Sequence, residues 1–404
     1  MPDNVIIVGA GQAGAQVAIS LRSGGYTGKV TIIGDESQIP YERPPLSKHF
    51  LAGEMEADRL FMRPADYYAQ NNIDIRLNTT VARIDRAASA IELTDGSRMP
   101  YSWLVLSTGG RVRKLNAPGG DLDGIYYLRT IDDVGAYRDR LKPGLRLVIV
   151  GGGYIGLEVA AVARKKGCQV TVLEMLPMVL NRVVAPEMSK YYADVHAAAG
   201  VTIRVNTTVT AFAGDGHVRE VKCGNETVPA DMVIVGIGII PNTELATAAG
   251  LKVENGIVVD ELTRTNDPHI LSMGDCANHP SALYGNRLRL ESVANALGQG
   301  RAAASVILGN PVPFTEVPMF WSNQYDLKLQ MNGVSMPGDQ VVIRGDMAGH
   351  KFSACYLRDG ILVACHAVNQ PRDFMASKPL IASRWRPDPA KLTDAAVTLK
   401  DMAA

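Results

Sequence analysis

The sequence offers no net charge. Its 41 basic and 41 acidic residues cancel, so no global field exists to recruit nucleic acid or an anionic membrane surface, and an electrostatic partner must use a local patch. Cysteine is scarce too. Cys168, Cys223, Cys276, Cys355 and Cys365 are odd in number, scattered, and contain no C-x-x-C. Neither a disulfide framework nor a zinc or iron–sulfur site is suggested, no metal is expected, and a reducing cytoplasm is the natural setting. No apolar run approaches the roughly 20 uncharged residues of a membrane span. The first strand-like run starts at Val5, which leaves no room for a signal or transit peptide and makes the sequons at Asn78, Asn206 and Asn225 accidental.

What is present is a chain of 404 residues, long enough for two or three domains, with nearly half its residues apolar. It opens on Val5-Ile-Ile-Val8, a buried-strand run that breaks into Gly9-x-Gly11-x-x-Gly14 and continues into helix-compatible sequence. Glycines at this spacing permit a tight turn, close approach of backbone to a pyrophosphate, and close packing of helix on strand. A second strand, Val30 to Ile33, ends in Gly34-Asp35. A ribose-binding carboxylate belongs about 20 residues past the fingerprint, so Asp35 is the candidate, displaced by one from the strand end.

The programme then repeats. Leu147 to Val150 lead into Gly151-x-Gly153-x-x-Gly156, and Gln169 to Leu173 end in Glu174, at the position a ribose-binding acid requires. Ile75-Arg-Leu-Asn-Thr-Thr-Val81 recurs as Ile203-Arg-Val-Asn-Thr-Thr-Val209, and Trp103 to Ser107 has a counterpart at Met232 to Gly236. Two fingerprints embedded in matching strands imply two dinucleotides, and the usual redox pair is a flavin and a nicotinamide. The junction Ile270 to Ala277 has no evident partner in the second copy and reads as material returned to the first. Glu291 to Ile307 read as a helix. From Pro318, Phe320 to Val334, Gln340 to Gly345, Lys351 to Leu357 and Ile361 to Val368 alternate as strands, followed by a helix-like Phe374 to Trp385 and a polar tail from Pro387 of uncertain order.

These motifs, with Tyr41-Glu-Arg-Pro-Pro-Leu-Ser-Lys48, Ser107-Thr-Gly-Gly110, Tyr127-Leu-Arg-Thr130, Gly274-Asp-Cys-Ala277, Glu291-Ser-Val293 and Trp321-Ser-Asn-Gln-Tyr325, resemble the oxygenase-coupled NADH-dependent ferredoxin reductases across the whole chain. The resemblance implies an α/β glutathione-reductase-like fold with two Rossmann-like domains and a C-terminal α+β domain bearing an antiparallel sheet. The division expected is an FAD domain at 1–112 and 243–317, an NAD domain at 113–242 and an interface domain at 318–404. It implies that Gly9, Gly11, Ala13 and Gly14 approach the FAD pyrophosphate and Asp35 its ribose. Val81 and Arg129 would line the adenine side, Asp275 would hydrogen-bond the ribityl chain, and Arg43 and Gly274 would also contact the cofactor. Val293 would face the ring, and Trp321 its exposed edge, where electrons leave. Gly151, Gly153, Ile155, Gly156, Glu174 and Gly238 would hold NAD.

Lys48 would lie near flavin N5, oriented by Glu158, a carboxylate at the start of the second copy's helix. These two side chains are expected to pair, and with Trp321 they form the implied catalytic set. Glu174 would accept both ribose hydroxyls and repel a 2′-phosphate, favouring NADH. Hydride would pass to the flavin and electrons then singly to a [2Fe–2S] ferredoxin serving a cytochrome P450 or a dioxygenase. Disulfide reductases on this fold carry a cysteine pair at the start of the first copy, and related peroxide or CoA-disulfide reductases a single cysteine near the position of Ser47, whereas the segment from Tyr41 to Phe50 has none here, so no thiol relay is expected. Arg301, Lys328, Lys378, Arg384 and Arg386 are candidates for docking an acidic ferredoxin. Two rivals remain open at this stage: monodehydroascorbate reductase, in which Ala would stand at Pro45, and NADH-sensing flavoproteins resembling apoptosis-inducing factor.

Overall fold

In a computed structural model, which describes residues 4–403, the chain forms two compact units. One gathers Met1–Glu42, Asp58–Arg111 and Ile240–Pro318; the other gathers Arg43–Ala57, Val112–Ile239 and Met319–Ala404.

The first unit is built on a five-stranded parallel sheet in the order Ile270–Ser272, Trp103–Leu106, Asn4–Val8, Lys29–Ile33, Ile73–Arg76. Its central strands Asn4–Val8 and Lys29–Ile33 are short β-branched runs buried on both faces, as a parallel sheet demands, and the edge strand Ile73–Arg76 is half-exposed. The helix Gln12–Ser23 follows the central strand and packs its Val17, Ala18 and Leu21 with Val5, Ile7, Val30 and Ile32 in one core. Each such valine, leucine or isoleucine contributes roughly 1.5–3 kcal/mol on burial. Helix Val293–Ile307 lies against it through small residues: a Cβ on Gly300 would stand 2.9 Å from Gln16 Cβ. This helix is capped by Ser292, whose hydroxyl accepts from the Asn295 N–H, so it starts two residues later than Glu291.

The second unit repeats the sheet, in the order Thr202–Arg204, Gln169–Leu173, Arg146–Val150, Met232–Val235, Ile125–Tyr127, again all parallel. The duplication extends to single hydrogen bonds. Gly9 N–H donates to Ile33 O and Gly151 N–H to Leu173 O, both at 2.8 Å. Thr79 N–H donates to Gly34 O as Thr207 N–H does to Glu174 O. Asn78 and Asn206 both take left-handed φ, 50° and 51°. One expectation is corrected here. Ile270–Ser272 does have a counterpart, Ile125–Tyr127, which pairs with Met232–Val235 as Ile270–Ser272 pairs with Trp103–Leu106. It precedes the second copy instead of following it, which hid it from a comparison made in chain order.

The second unit also holds an antiparallel sheet in the order Met319–Gln324, Leu327–Gly333, Ile361–Val368, Lys351–Arg358, Gln340–Asp346, with helix Pro371–Ala382 against it. The single strand expected from Phe320 to Val334 is a hairpin, turned at Tyr325 with φ +57°. The helix expected to reach Trp385 ends at Ala382, since Arg384 adopts φ +56°. The tail is ordered by one buried guanidinium. Arg344 bonds Asp373 at 2.9 Å and donates to the carbonyls of Leu392, Asp394 and Val397, which fasten the short helices Pro389–Leu392 and Leu399–Met402.

Candidate functional site

Both glycine fingerprints form the turn from a central strand into a helix, at the carboxyl ends of the strands where open α/β sheets bind ligands. Within each triplet the glycines differ in role. A Cβ on Gly9 would stand 2.2 Å from Ser107 O and one on Gly14 2.2 Å from Gly9 O; for Gly151 and Gly156 the distances are 2.3 Å to Gly236 O and 2.1 Å to Gly151 O. Protein packing alone demands those four. The middle glycines are different, because Cβ atoms on Gly11 or Gly153 would meet nothing within 4 Å. Each middle glycine, as the N-cap of its helix with extended backbone, leaves room for a group from outside the chain. Gly238, at φ +98°, faces open space in the same way. The cradles therefore fit dinucleotide pyrophosphates, with helix N–H groups to receive them. Ile155 and Met175, beside the second loop, are 45% and 62% exposed, and such apolar exposure suits a covering ligand.

The acids at the strand ends differ between copies for a steric reason. A Cβ on Gly34 would lie 2.5 Å from Ala10 Cβ, so the first copy cannot carry a side chain there, and the acid moves to the exposed Asp35. In the second copy Gly152 replaces the alanine and Glu174 occupies the strand end. Its Oε2 accepts from Gly152 N–H at 2.7 Å and its Oε1 from Leu176 N–H at 2.8 Å, which aims the carboxylate across the glycine loop.

Lys48 and Glu158 come together within the second unit. The double proline starts a 3-10 turn, Pro44–Ser47, that presents Ser47 and Lys48 to helix Tyr154–Lys165. Lys48 Nζ donates to Glu158 Oε2 at 2.6 Å and to Pro44 O at 3.1 Å. Ser47 Oγ donates to the same oxygen at 2.5 Å, and Ser322 Oγ donates to Oε1 at 2.6 Å. Glu158 is the fifth residue of its helix and buried, not a helix-start acid near the dipole, so the expected position is corrected by one turn. What holds its charge is the lysine and two hydroxyls. Ser47 and Ser322 were not foreseen. The one sequence signal for Ser322 is its place beside Trp321, which strand alternation sends to the opposite face.

Trp321 is half-buried, in register with Gln330, and so is not sealed in the C-terminal core. Arg43 donates to Arg129 O at 2.7 Å, and Arg129 precedes a helix opened by a Thr130–Asp133 capping box. In the first unit Gly274 takes φ +75° and donates its N–H to Gln299 Oε1 at 2.8 Å, placing Asp275 in a 3-10 turn at the end of strand Ile270–Ser272. Val81 is buried at the start of its strand, and Val293 is the half-buried first residue of its helix. Of the basic candidates, Arg301 pairs with Glu316 at 2.8 Å and Arg386 donates to Asp359 O. Lys328 is exposed.

Residues 3–300 match the family model described as pyridine nucleotide-disulphide oxidoreductase, and residues 319–403 match that described as reductase C-terminal. The chain is 44% identical over 409 residues to putidaredoxin reductase of Pseudomonas putida, covering 100% of this chain and 97% of the relative. It is 42% identical over 400 residues to rhodocoxin reductase of Rhodococcus erythropolis, covering 98% and 93%. Among solved structures it superposes with a TM-score of 0.97 on the covalent putidaredoxin reductase–putidaredoxin complex, at 44% identity over 99% of this chain and 98% of that one.

Proposed function

This chain belongs to the pyridine nucleotide-disulphide oxidoreductase family, and from that premise we propose that it is an FAD flavoprotein passing electrons from NADH to a [2Fe–2S] ferredoxin, which in turn serves a cytochrome P450 or another oxygenase. The observation that carries this reading is the pair of open cradles at Gly11 and Gly153, two dinucleotide sites in one chain, with serine, not cysteine, beside Lys48. Full-length similarity to reductases named for putidaredoxin and rhodocoxin supports the partner class. Flavin, when bound, supplies the capacity to accept two electrons as hydride and release them singly.

The residues divide that work. Gly9, Gly11, Ala13 and Gly14 receive the FAD pyrophosphate, Asp35 its ribose, Val81 and Arg129 its adenine side, Asp275 its ribityl chain and Val293 its ring, with Arg43 and Gly274 as further FAD contacts. Gly151, Gly153, Ile155, Gly156 and Gly238 receive NADH, and Glu174 takes the ribose hydroxyls and repels a 2′-phosphate. Lys48 supplies a cation at the flavin, Glu158 fixes that cation, and Trp321 stands where electrons leave. The domains are 1–112 with 243–317, 113–242 and 318–404. Five free cysteines accord with a cytoplasmic location, and among the described residues no helix is long and apolar enough to cross a membrane. The test is NADH-dependent reduction of purified [2Fe–2S] ferredoxins by the yellow protein. Turnover of ascorbate radical in place of ferredoxin would overturn the reading.

A further inference from the structure

Beyond the Lys48–Glu158 pair, a line of buried polar groups continues from the far oxygen of the carboxylate and passes through the His196 ring, 128 residues distant in sequence from the Gln324 it touches, to Tyr325. Gln324 Nε2 lies 3.1 Å from Ser322 Oγ, His196 Nε2 lies 2.9 Å from Gln324 Oε1, and Tyr325 OH lies 3.1 Å from His196 Nδ1. Ser322, Gln324 and His196 are all buried to 1% exposure or less. Groups this deep are destabilising when left without partners, so the chain of contacts is a constraint and not decoration.

The direction of every bond is fixed by chemistry. The Glu158 carboxylate accepts, so the single Ser322 proton is committed to Oε1. Ser322 Oγ must then accept, which turns the Gln324 amide with nitrogen toward serine and oxygen toward His196. That oxygen requires a proton on His196 Nε2, and burial holds this imidazole below its ordinary pKa, hence neutral, with a bare Nδ1. Tyr325, whose phenol burial pushes up to about 12, donates to that nitrogen. Four successive donors thus point the same way, toward Glu158.

We infer that His196 is a positioning residue for Glu158: its Nε2–H, acting through Gln324 and Ser322, fixes the carboxylate in the orientation that aims Lys48. The chain spans helix Pro186–Ala198, strand Met319–Gln324 and helix Tyr154–Lys165, so it couples the C-terminal sheet to the lysine. Aligned dipoles in a dry interior reinforce one another, and loss of one donor releases the next. The relay's importance to the redox reaction rests on the reading of Lys48 as a flavin-side cation.

The test uses the holoenzyme and reads Lys48 directly, by the rate of its acylation with acetic anhydride measured by peptide mass spectrometry. A glutamine amide places its N–H where imidazole Nε2 stands, and an asparagine amide places it at Nδ1. His196→Asn should therefore raise Lys48 acylation about threefold to tenfold, and His196→Gln should restore it. Ser322→Ala should match His196→Asn. Unchanged acylation in folded His196→Asn and Ser322→Ala overturns the inference, as does equal behaviour of the Asn and Gln variants. Should His196→Asn not fold, Tyr325→Phe, which keeps the ring, decides for the far end: unchanged acylation there counts against it. The midpoint potential of the bound flavin in Lys48→Met separates the two readings. No shift there removes the flavin-side role of Lys48 and leaves the relay to be judged by acylation alone.

Discussion

Lys48 Nζ lies 2.6 Å from Glu158 Oε2, with the lysine side chain 12% exposed and the carboxylate 3%. A pair this buried is strongly asymmetric in its response to mutation. Removing the acid strands an ammonium beside only Pro44 O and Ser47, which costs about 3–5 kcal/mol. Glu158→Leu is expected to lower stability in that range, whereas Lys48→Met leaves the carboxylate its two hydroxyl donors and costs less. The double variant should recover part of the loss, and urea unfolding of the four proteins measures the coupling.

The glycine loops separate folding from binding. Gly11→Ala should fold like the parent but hold FAD more weakly, because its methyl occupies space no protein atom claims. Gly9→Ala should fail earlier, as unstable or insoluble protein, since its Cβ would strike Ser107 O at a φ of +114°. Flavin content after dialysis, beside the thermal midpoint, distinguishes the two outcomes.

Glu174 is the residue we propose to govern coenzyme choice. Glu174→Arg replaces a carboxylate held by Gly152 and Leu176 with a cation suited to a 2′-phosphate. The ratio of kcat/KM for NADPH over NADH is expected to rise at least about tenfold, or ~1.4 kcal/mol. An unchanged ratio would remove Glu174 from the ribose site.

Stability should fall in acid through the buried histidines. Burial holds His366 at about 3, and it lowers His196 and His279 as well. Below about pH 6.5 the unfolded chain takes up protons that the fold refuses, so each step down in pH favours unfolding. His366 alone should contribute roughly 2–3 kcal/mol of loss between pH 6.5 and pH 4.5. Urea midpoints at the two pH values test this, with His366→Leu flattening the dependence.

The parts of the fold legible in sequence were those written contiguously. Gly9 to Gly14 and Gly151 to Gly156 announce their turns because strand, glycines and helix follow without interruption. The Lys48–Glu158 pair was legible only through family resemblance, the two being 110 residues apart. Ser322 lies 164 residues from the carboxylate it bonds, and nothing local marks a serine as a partner. The displaced Asp35 is explained by Ala10, whose Cβ would stand 2.5 Å from one on Gly34, packing information that periodicity does not carry. Tyr325 broke an expected strand because alternation continues through a tight hairpin whose turn residue is neither Gly nor Asn.

The central claim is electron passage from NADH through this protein to a [2Fe–2S] ferredoxin, and anaerobic stopped-flow mixing tests it most directly. The NADH-reduced protein, mixed with excess oxidised ferredoxin, is predicted to recover its yellow flavin band as two ferredoxins are reduced for each flavin. Rapid bleaching by NADH followed by no ferredoxin reduction, across a panel of such proteins, would contradict it.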